Sequence, residues 1–169
     1  MSHEKYSVLH IDDDPAMTAL VSQLLEKRGI ECVELNDPTQ AMEMIRNRNF
    51  RVIILDLDMP KLHGLDLLRQ IKRYDGGINV IILTGLVSQS SVVRSLRRGA
   101  AACVFKPLRD PQLLLDTVRL AFENIDRWWN TLRELTVLRR GYASPFKMTD
   151  HDIAAVVTEE LEMEMSEPS

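Results

Sequence analysis

Asp12, Asp13 and Asp14 follow one another directly, Asp56 and Asp58 stand one residue apart, and Thr84 and Lys106 each close a short apolar run. Taken singly, each has a plain reading, since aspartates mark turns and helix caps and a pair such as Lys106-Pro107 suits a surface. Taken together they have a chemistry. Carboxylates held within a few ångströms of one another repel, and one takes up a proton unless a cation shares the site. A hard divalent ion resolves the conflict. Magnesium prefers oxygen ligands, keeps several waters and is commonly held by one or two carboxylates together with phosphate oxygens. An ammonium such as that of Lys106 can then face a phosphoryl group from the other side, while the Thr84 hydroxyl donates to one of its oxygens.

Those residues must be brought together by the elements that precede them. Tyr6–Ile11 reads as a strand, and after Pro15 the positions Met17, Leu20, Val21, Leu24 and Leu25 repeat at helical spacing until Gly29. Ile30–Leu35 alternates like a less buried strand at a sheet edge, and Pro38 opens a helix with Ala41, Met42 and Ile45 inward. Val52–Leu55 and Val80–Thr84 are continuous apolar strands, and Ala101–Lys106 is a fifth. Leu65, Leu68 and Ile71 stripe one intervening helix; Val92, Val93 and Leu96 mark another, which ends at Gly99. Continuous apolar strands alternating with helices predict a parallel sheet covered on both faces. With right-handed crossovers, the expected fold is α/β, a flavodoxin-like, doubly wound five-stranded sheet of order 2-1-3-4-5. Ligands of such sheets sit outside the carboxyl ends of the strands. Asp12, Asp13, Asp14, Asp56, Thr84 and Lys106 all fall there.

The segments "VLHIDDDP", "VIILDLDMPKLHGLDLL", "VIILTG" and "GAAACVFKP", in that order, resemble the receiver domain of bacterial response regulators, over about Tyr6 to Phe122. The resemblance implies a chemotaxis-regulator-like two-component protein in which Asp56 accepts a phosphoryl group from a histidine kinase, a histidine phosphotransfer protein or a small phosphodonor. It implies Mg2+ bound by Asp13, Asp56 and the main-chain carbonyl of Asp58, with Asp12 acting through water. Thr84 and Lys106 match the hydroxyl and the ammonium that contact the phosphoryl group. Pro107 matches a residue whose preceding peptide is often cis, and Asp14 is left to cap the next helix. The sequence departs from the family at Cys103, where an aromatic ring usually couples to the threonine as a switch. A small thiol removes ring rotation and leaves Thr84 to draw its loop inward. A packed core thiol is the plain reading of Cys103, and a redox sensor is the alternative. His63 replaces a frequent acid and reads as an exposed loop residue.

Helical spacing continues past the resemblance. Leu114, Val118, Ala121, Ile125, Trp128, Leu132 and Leu135 step by four and three, predicting a last helix from Pro111 to Arg140, about 45 Å long. Division into a receiver over 1–122 and a helical extension over 123–169 follows, the extension serving dimerisation or output. Ile125, Trp128, Leu132 and Leu135 are expected to pair in a homodimer or to meet an acidic tail segment. In that tail, Thr149 and Asp152 suggest a cap before Ile153, Val156, Val157 and Leu161. The pair His151-Asp152 lacks the partners that a metal phosphodiesterase needs.

Composition limits the rest. The chain has 169 residues, 45% of them apolar, which suits one domain plus an extension. A net charge of -4 disfavours a dedicated nucleic-acid binder, and no helix-turn-helix with basic recognition positions is visible. Cys32 and Cys103 show no metal-ligand spacing, the start has no apolar signal segment, and no run reaches membrane-spanning length. A cytoplasmic protein without direct nucleic-acid or membrane contact is expected, signalling through a downstream protein target. No room is evident for a winged-helix output domain, so the chain reads as a single-domain regulator or as the first part of a longer effector. Two rivals remain: a non-switching pseudo-receiver scaffold and, less fitting in motif order, a haloacid-dehalogenase-type phosphatase.

Overall fold

The structure is a computed structural model, and it describes residues 7–85 and 88–140. Strand β1 (Ser7–Ile11) leads into α1 (Pro15–Glu26), β2 (Glu31–Leu35), a single 3-10 turn (Pro38–Gln40), α2 (Ala41–Asn47) and β3 (Val52–Leu55). Then come α3 (Gly64–Tyr74), β4 (Asn79–Thr84), α4 (Gln89–Arg97), β5 (Ala102–Phe105) and α5 (Pro111–Arg140). The sheet has five parallel strands in the order β2-β1-β3-β4-β5. This is the doubly wound flavodoxin-like order expected from the alternating pattern, with a long last helix.

Burial on both faces explains the continuous apolar runs. Leu9, Ile11, Ile53, Leu55, Val80 and Ile82 join Ala41, Ile45, Leu68 and Ile71 of α2 and α3 in one core cluster. The alternate positions Val8, His10, Val52, Ile54, Ile81 and Leu83 are equally buried and face α1 and the first part of α5. Leu25 on α1 and Leu114, Val118 and Ala121 on α5 are buried there, and Arg28 donates to Gln112 at 3.0 Å across the two helices. Strand β2 lies at the edge, as its weaker apolar pattern suggested, and three of its five residues are half-buried.

Expected helix boundaries shift for local reasons. Pro38 opens the 3-10 turn rather than the helix itself, with the Asp37 side chain accepting from Thr39 N. Gly29 and Gly99, read as stops, lie two or three residues beyond α1 and α4 at φ +75° and +90°. That left-handed backbone suits glycine and turns each chain end toward the next strand. The strand expected from Tyr6 is described only from Ser7, and the tail positions from Thr149 to Leu161 lie outside the described residues.

The chain divides into two units, Met1–Glu123 and Asn124–Ser169. The first holds the sheet and its helices. In the second, Trp128 and Trp129 meet edge to face at 5.6 Å, and Trp128 and Leu135 are 56% and 57% exposed.

Candidate functional site

Strand β1 delivers Asp12 and β3 delivers Asp56 to adjacent positions, because Ile11 and Leu55 pair in register immediately before them. Asp56 N donates to Ile11 O at 3.0 Å, extending the ladder into the site. The Asp12 peptide is fixed from the other side. Asp12 N donates to Leu35 O at 3.1 Å, and Asn36 Nδ2 donates to Asp12 O at 2.8 Å and to Thr18 Oγ1 at 3.1 Å. Asn36 is a brace that sequence reading passed over; an amide directly after a strand end is too common to single out.

Asp56 is 4% exposed, and its Oδ1 accepts from Leu57 N at 2.8 Å. Oδ2 lies 3.2 Å from Lys106 Nζ, which also stands 2.7 Å from Asp12 Oδ2. One ammonium therefore bridges two buried carboxylates. Burial works to lower the Lys106 pKa, but the two acids outweigh it and the ammonium is held above its ordinary value. Burial raises the Asp12 carboxyl, opposed by the hydrogen bond from Lys106. Asp12 Oδ1 is also taken, accepting from Asp14 N at 3.0 Å. Asp13 is exposed, and ligand atoms of Asp12, Asp13 and Asp56 lie within 4.8 Å of one another. This all-oxygen set suits a hard divalent cation.

Gly64 controls the turn after β3. A Cβ there would lie 2.1 Å from Asp56 O and 2.6 Å from Leu57 Cα, so α3 can begin against this backbone only without a side chain. Gly64 N donates to Leu57 O at 3.0 Å. His63, read as a plain loop residue, is the N-cap of α3: Nδ1 accepts from Leu65 N at 3.2 Å. Asp14 caps α1 through Ala16 N at 2.9 Å. Asp58 is exposed two residues beyond Asp56.

Thr84 ends β4 and is 1% exposed; Lys106 N donates to its carbonyl at 3.0 Å. The Lys106-Pro107 peptide is cis. Cys103 pairs in register with Ile82, whereas Thr84 pairs with Phe105. The Cys103 side chain is half-buried against the core cluster, and burial pushes its thiol pKa up. That protonated, packed environment favours the structural reading over a redox sensor.

Sequence reading also missed His10, a single histidine within "SVLHI". It is fully buried in β1, two residues before Asp12, with Nε2 3.7 Å from Asp12 Oδ2. Burial and then the charge of Lys106 drive its pKa down to about 3, so the ring is neutral at ordinary pH.

The family model of the response regulator receiver domain matches residues 8–119. The chain belongs to the response regulator receiver family. It is 33% identical to a CpxR-homologue transcriptional regulatory protein of Haemophilus influenzae, over 63% of this chain and 46% of that protein. It is 32% identical to the transcriptional regulatory protein ZraR of Escherichia coli O157:H7, over 64% of this chain and 24% of that one. This receiver thus spans about a quarter to a half of the length of these curated relatives. A CheY-like receiver domain protein from Methanospirillum hungatei superposes with a TM-score of 0.68 at 28% identity, covering 72% of this chain and 97% of that one. As a receiver the chain is a signalling domain of two-component systems rather than a conventional enzyme. No helix among the described residues is long and apolar enough to cross a membrane.

Proposed function

We propose that this receiver accepts a phosphoryl group on Asp56 and signals through a surface whose conformation depends on that group. The observation that carries the reading is the buried Asp56 carboxylate, with Oδ2 3.2 Å from Lys106 and its ligand atoms grouped with those of Asp12 and Asp13. An Asp56 carboxylate oxygen forms the new O–P bond, and the donor's bond to phosphorus breaks. The electron pair leaves with the donor, either the imidazole of a histidine kinase or phosphotransfer protein, or the acetate of acetyl phosphate. Lys106 balances the added negative charge, and the Thr84 hydroxyl donates to a phosphoryl oxygen.

Mg2+ is the cofactor that the oxygen set fits, and when bound it supplies charge neutralisation between carboxylate and phosphoryl oxygens. Asp13, Asp56 and the Asp58 main-chain carbonyl would hold it. Asp12 acts through water, since one of its oxygens faces Lys106 and the other accepts from Asp14 N. Switching runs through Thr84, with Cys103 as packing behind it.

The receiver occupies 1–122, and 123–169 is the extension. A homodimer through Ile125, Trp128, Leu132 and Leu135 covers the exposed Trp128 and Leu135 side chains. The relatives are named transcriptional regulators. For this receiver the proposed output is contact with a protein partner in the cytoplasm.

The test pairs two variants with two readouts. Calorimetry should show weak Mg2+ binding by the wild type and the largest loss in Asp13→Ala. With Mg2+ and acetyl phosphate, intact-mass measurement should show one added phosphoryl group in the wild type and none in Asp56→Asn. Labelling that persists in Asp56→Asn would overturn the assignment.

A further inference from the structure

A buried polar group without a partner costs on the order of 1–3 kcal/mol, so it is rarely left in a core without a use. Among the described residues, the buried side-chain atoms without a hydrogen bond are His10 Nδ1, His10 Nε2 and Asp12 Oδ2, and of these only Asp12 Oδ2 meets a cation, the Lys106 ammonium. They belong to one pair. His10 is fully enclosed between β3 and the edge strand, where its register neighbours are Ile54 and Glu34. Its Nε2 faces Asp12 Oδ2 across 3.7 Å, too far for a hydrogen bond, while the same oxygen is held by Lys106 at 2.7 Å.

We propose that His10 is a positioning residue that takes over Asp12 Oδ2 when Lys106 turns to the phosphoryl group on Asp56. The inference rests on the phosphoacceptor reading given above. In the resting site the Lys106 ammonium is shared between Asp12 and Asp56. Phosphorylation turns one Asp56 oxygen into the bridging atom of an acyl phosphate and presents phosphoryl oxygens, which are stronger acceptors for an ammonium. Lys106 moves toward them. Asp12 Oδ2, with a side chain sealed from solvent, then needs another donor.

The neutral ring, protonated on Nε2, supplies it by closing about 0.8 Å to an ordinary N–H···O length. No change of charge on the ring is involved. Because this bond forms only in the phosphorylated arrangement, its whole worth favours that state. Asp12 stays ionised and oriented toward the metal-bound water it is proposed to hold.

Beryllofluoride with Mg2+ is the probe, as a stable mimic of the aspartyl phosphate. His10→Leu, which fills the same space without a donor, should fold at least as stably as the wild type and bind Mg2+ alone with unchanged affinity. Its half-saturating beryllofluoride concentration should rise about tenfold, the worth of one hydrogen bond to a buried charge. His10→Gln, which keeps an N–H near the Nε2 position, should recover most of that loss. In the wild type, the 15N resonance of His10 Nε2 should shift on beryllofluoride addition while remaining that of a neutral ring. Equal beryllofluoride affinity in His10→Leu and wild type would overturn the proposal, as would an equal loss in His10→Leu and His10→Gln. A wild type that binds no beryllofluoride would overturn the phosphoacceptor reading itself.

Discussion

At the carboxyl ends of β1, β3 and β5, the Lys106 ammonium stands 2.7 Å from one buried carboxylate and 3.2 Å from another. Along α5 after Glu123, Trp128 and Leu135 are apolar and more than half exposed. Each region runs against ordinary burial preference, in opposite directions. Charges in the interior are tolerated because each has a partner, while the two ring nitrogens of His10 beside Asp12 have none. Apolar side chains in solvent have no such internal resolution, so they call for another surface. The acidic residues gather within one unit; the second half of α5 is the proposed half of an interface.

The sharpest way to break this contrast is to disturb the backbone under the acidic site. Gly64→Val places a side chain where even its Cβ would lie 2.1 Å from Asp56 O. Loss of about 5 kcal/mol or more is expected, visible as a collapse of the urea midpoint. An unfolding free energy within about 1 kcal/mol of wild type would mean that α3 does not need this close approach.

A smaller effect separates buried charge chemistry from simple packing. The folded His10 ring titrates at about 3 rather than 6.5, so between those values the unfolded chain binds the extra proton. Stability from this residue is therefore full above pH 6.5 and lost as pH falls toward 3. Relative to His10→Leu, metal-free wild type should lose on the order of 4 kcal/mol over that range. Parallel acid-unfolding curves for the two proteins would contradict the assignment of a neutral buried ring.

The smallest effect on folding, and the largest on assembly, belongs to α5. Replacing Trp128 and Leu132 with Glu should change receiver unfolding by less than about 1 kcal/mol. The double variant should be monomeric by sedimentation and still accept phosphate on Asp56. A wild type that is itself monomeric at tens of micromolar would direct the stripe to the acidic segment around Ile153 and Val156 instead.

The two regions also differed in how far sequence disclosed them. The strand order and Asp12, Asp13, Asp56, Thr84 and Lys106 were legible because continuous apolar runs, buried on both faces, each ended in a residue of definite chemistry. His10 was not, because a single histidine inside a strand carries no periodic signal, and only its depth and its distance to Asp12 reveal it. His63 was read as a loop residue because capping by an imidazole nitrogen falls outside the usual Ser, Thr, Asp and Asn pattern. For α5, spacing gave the helix and its inward Leu114 and Val118. Whether another surface covers Trp128 is not something that one chain's periodicity specifies.

Asp56 is proposed to be an acyl-phosphate acceptor rather than one acid among several, and hydroxylamine lability distinguishes the two. Wild-type protein is incubated with Mg2+ and acetyl phosphate, its intact mass is recorded, and half the sample is treated with hydroxylamine before peptide mapping. The expected result is a single phosphoryl increment on the peptide holding Asp56, removed by hydroxylamine as an acyl phosphate must be. A phosphoryl group that survives hydroxylamine, or that maps to a peptide without Asp56, would contradict the account.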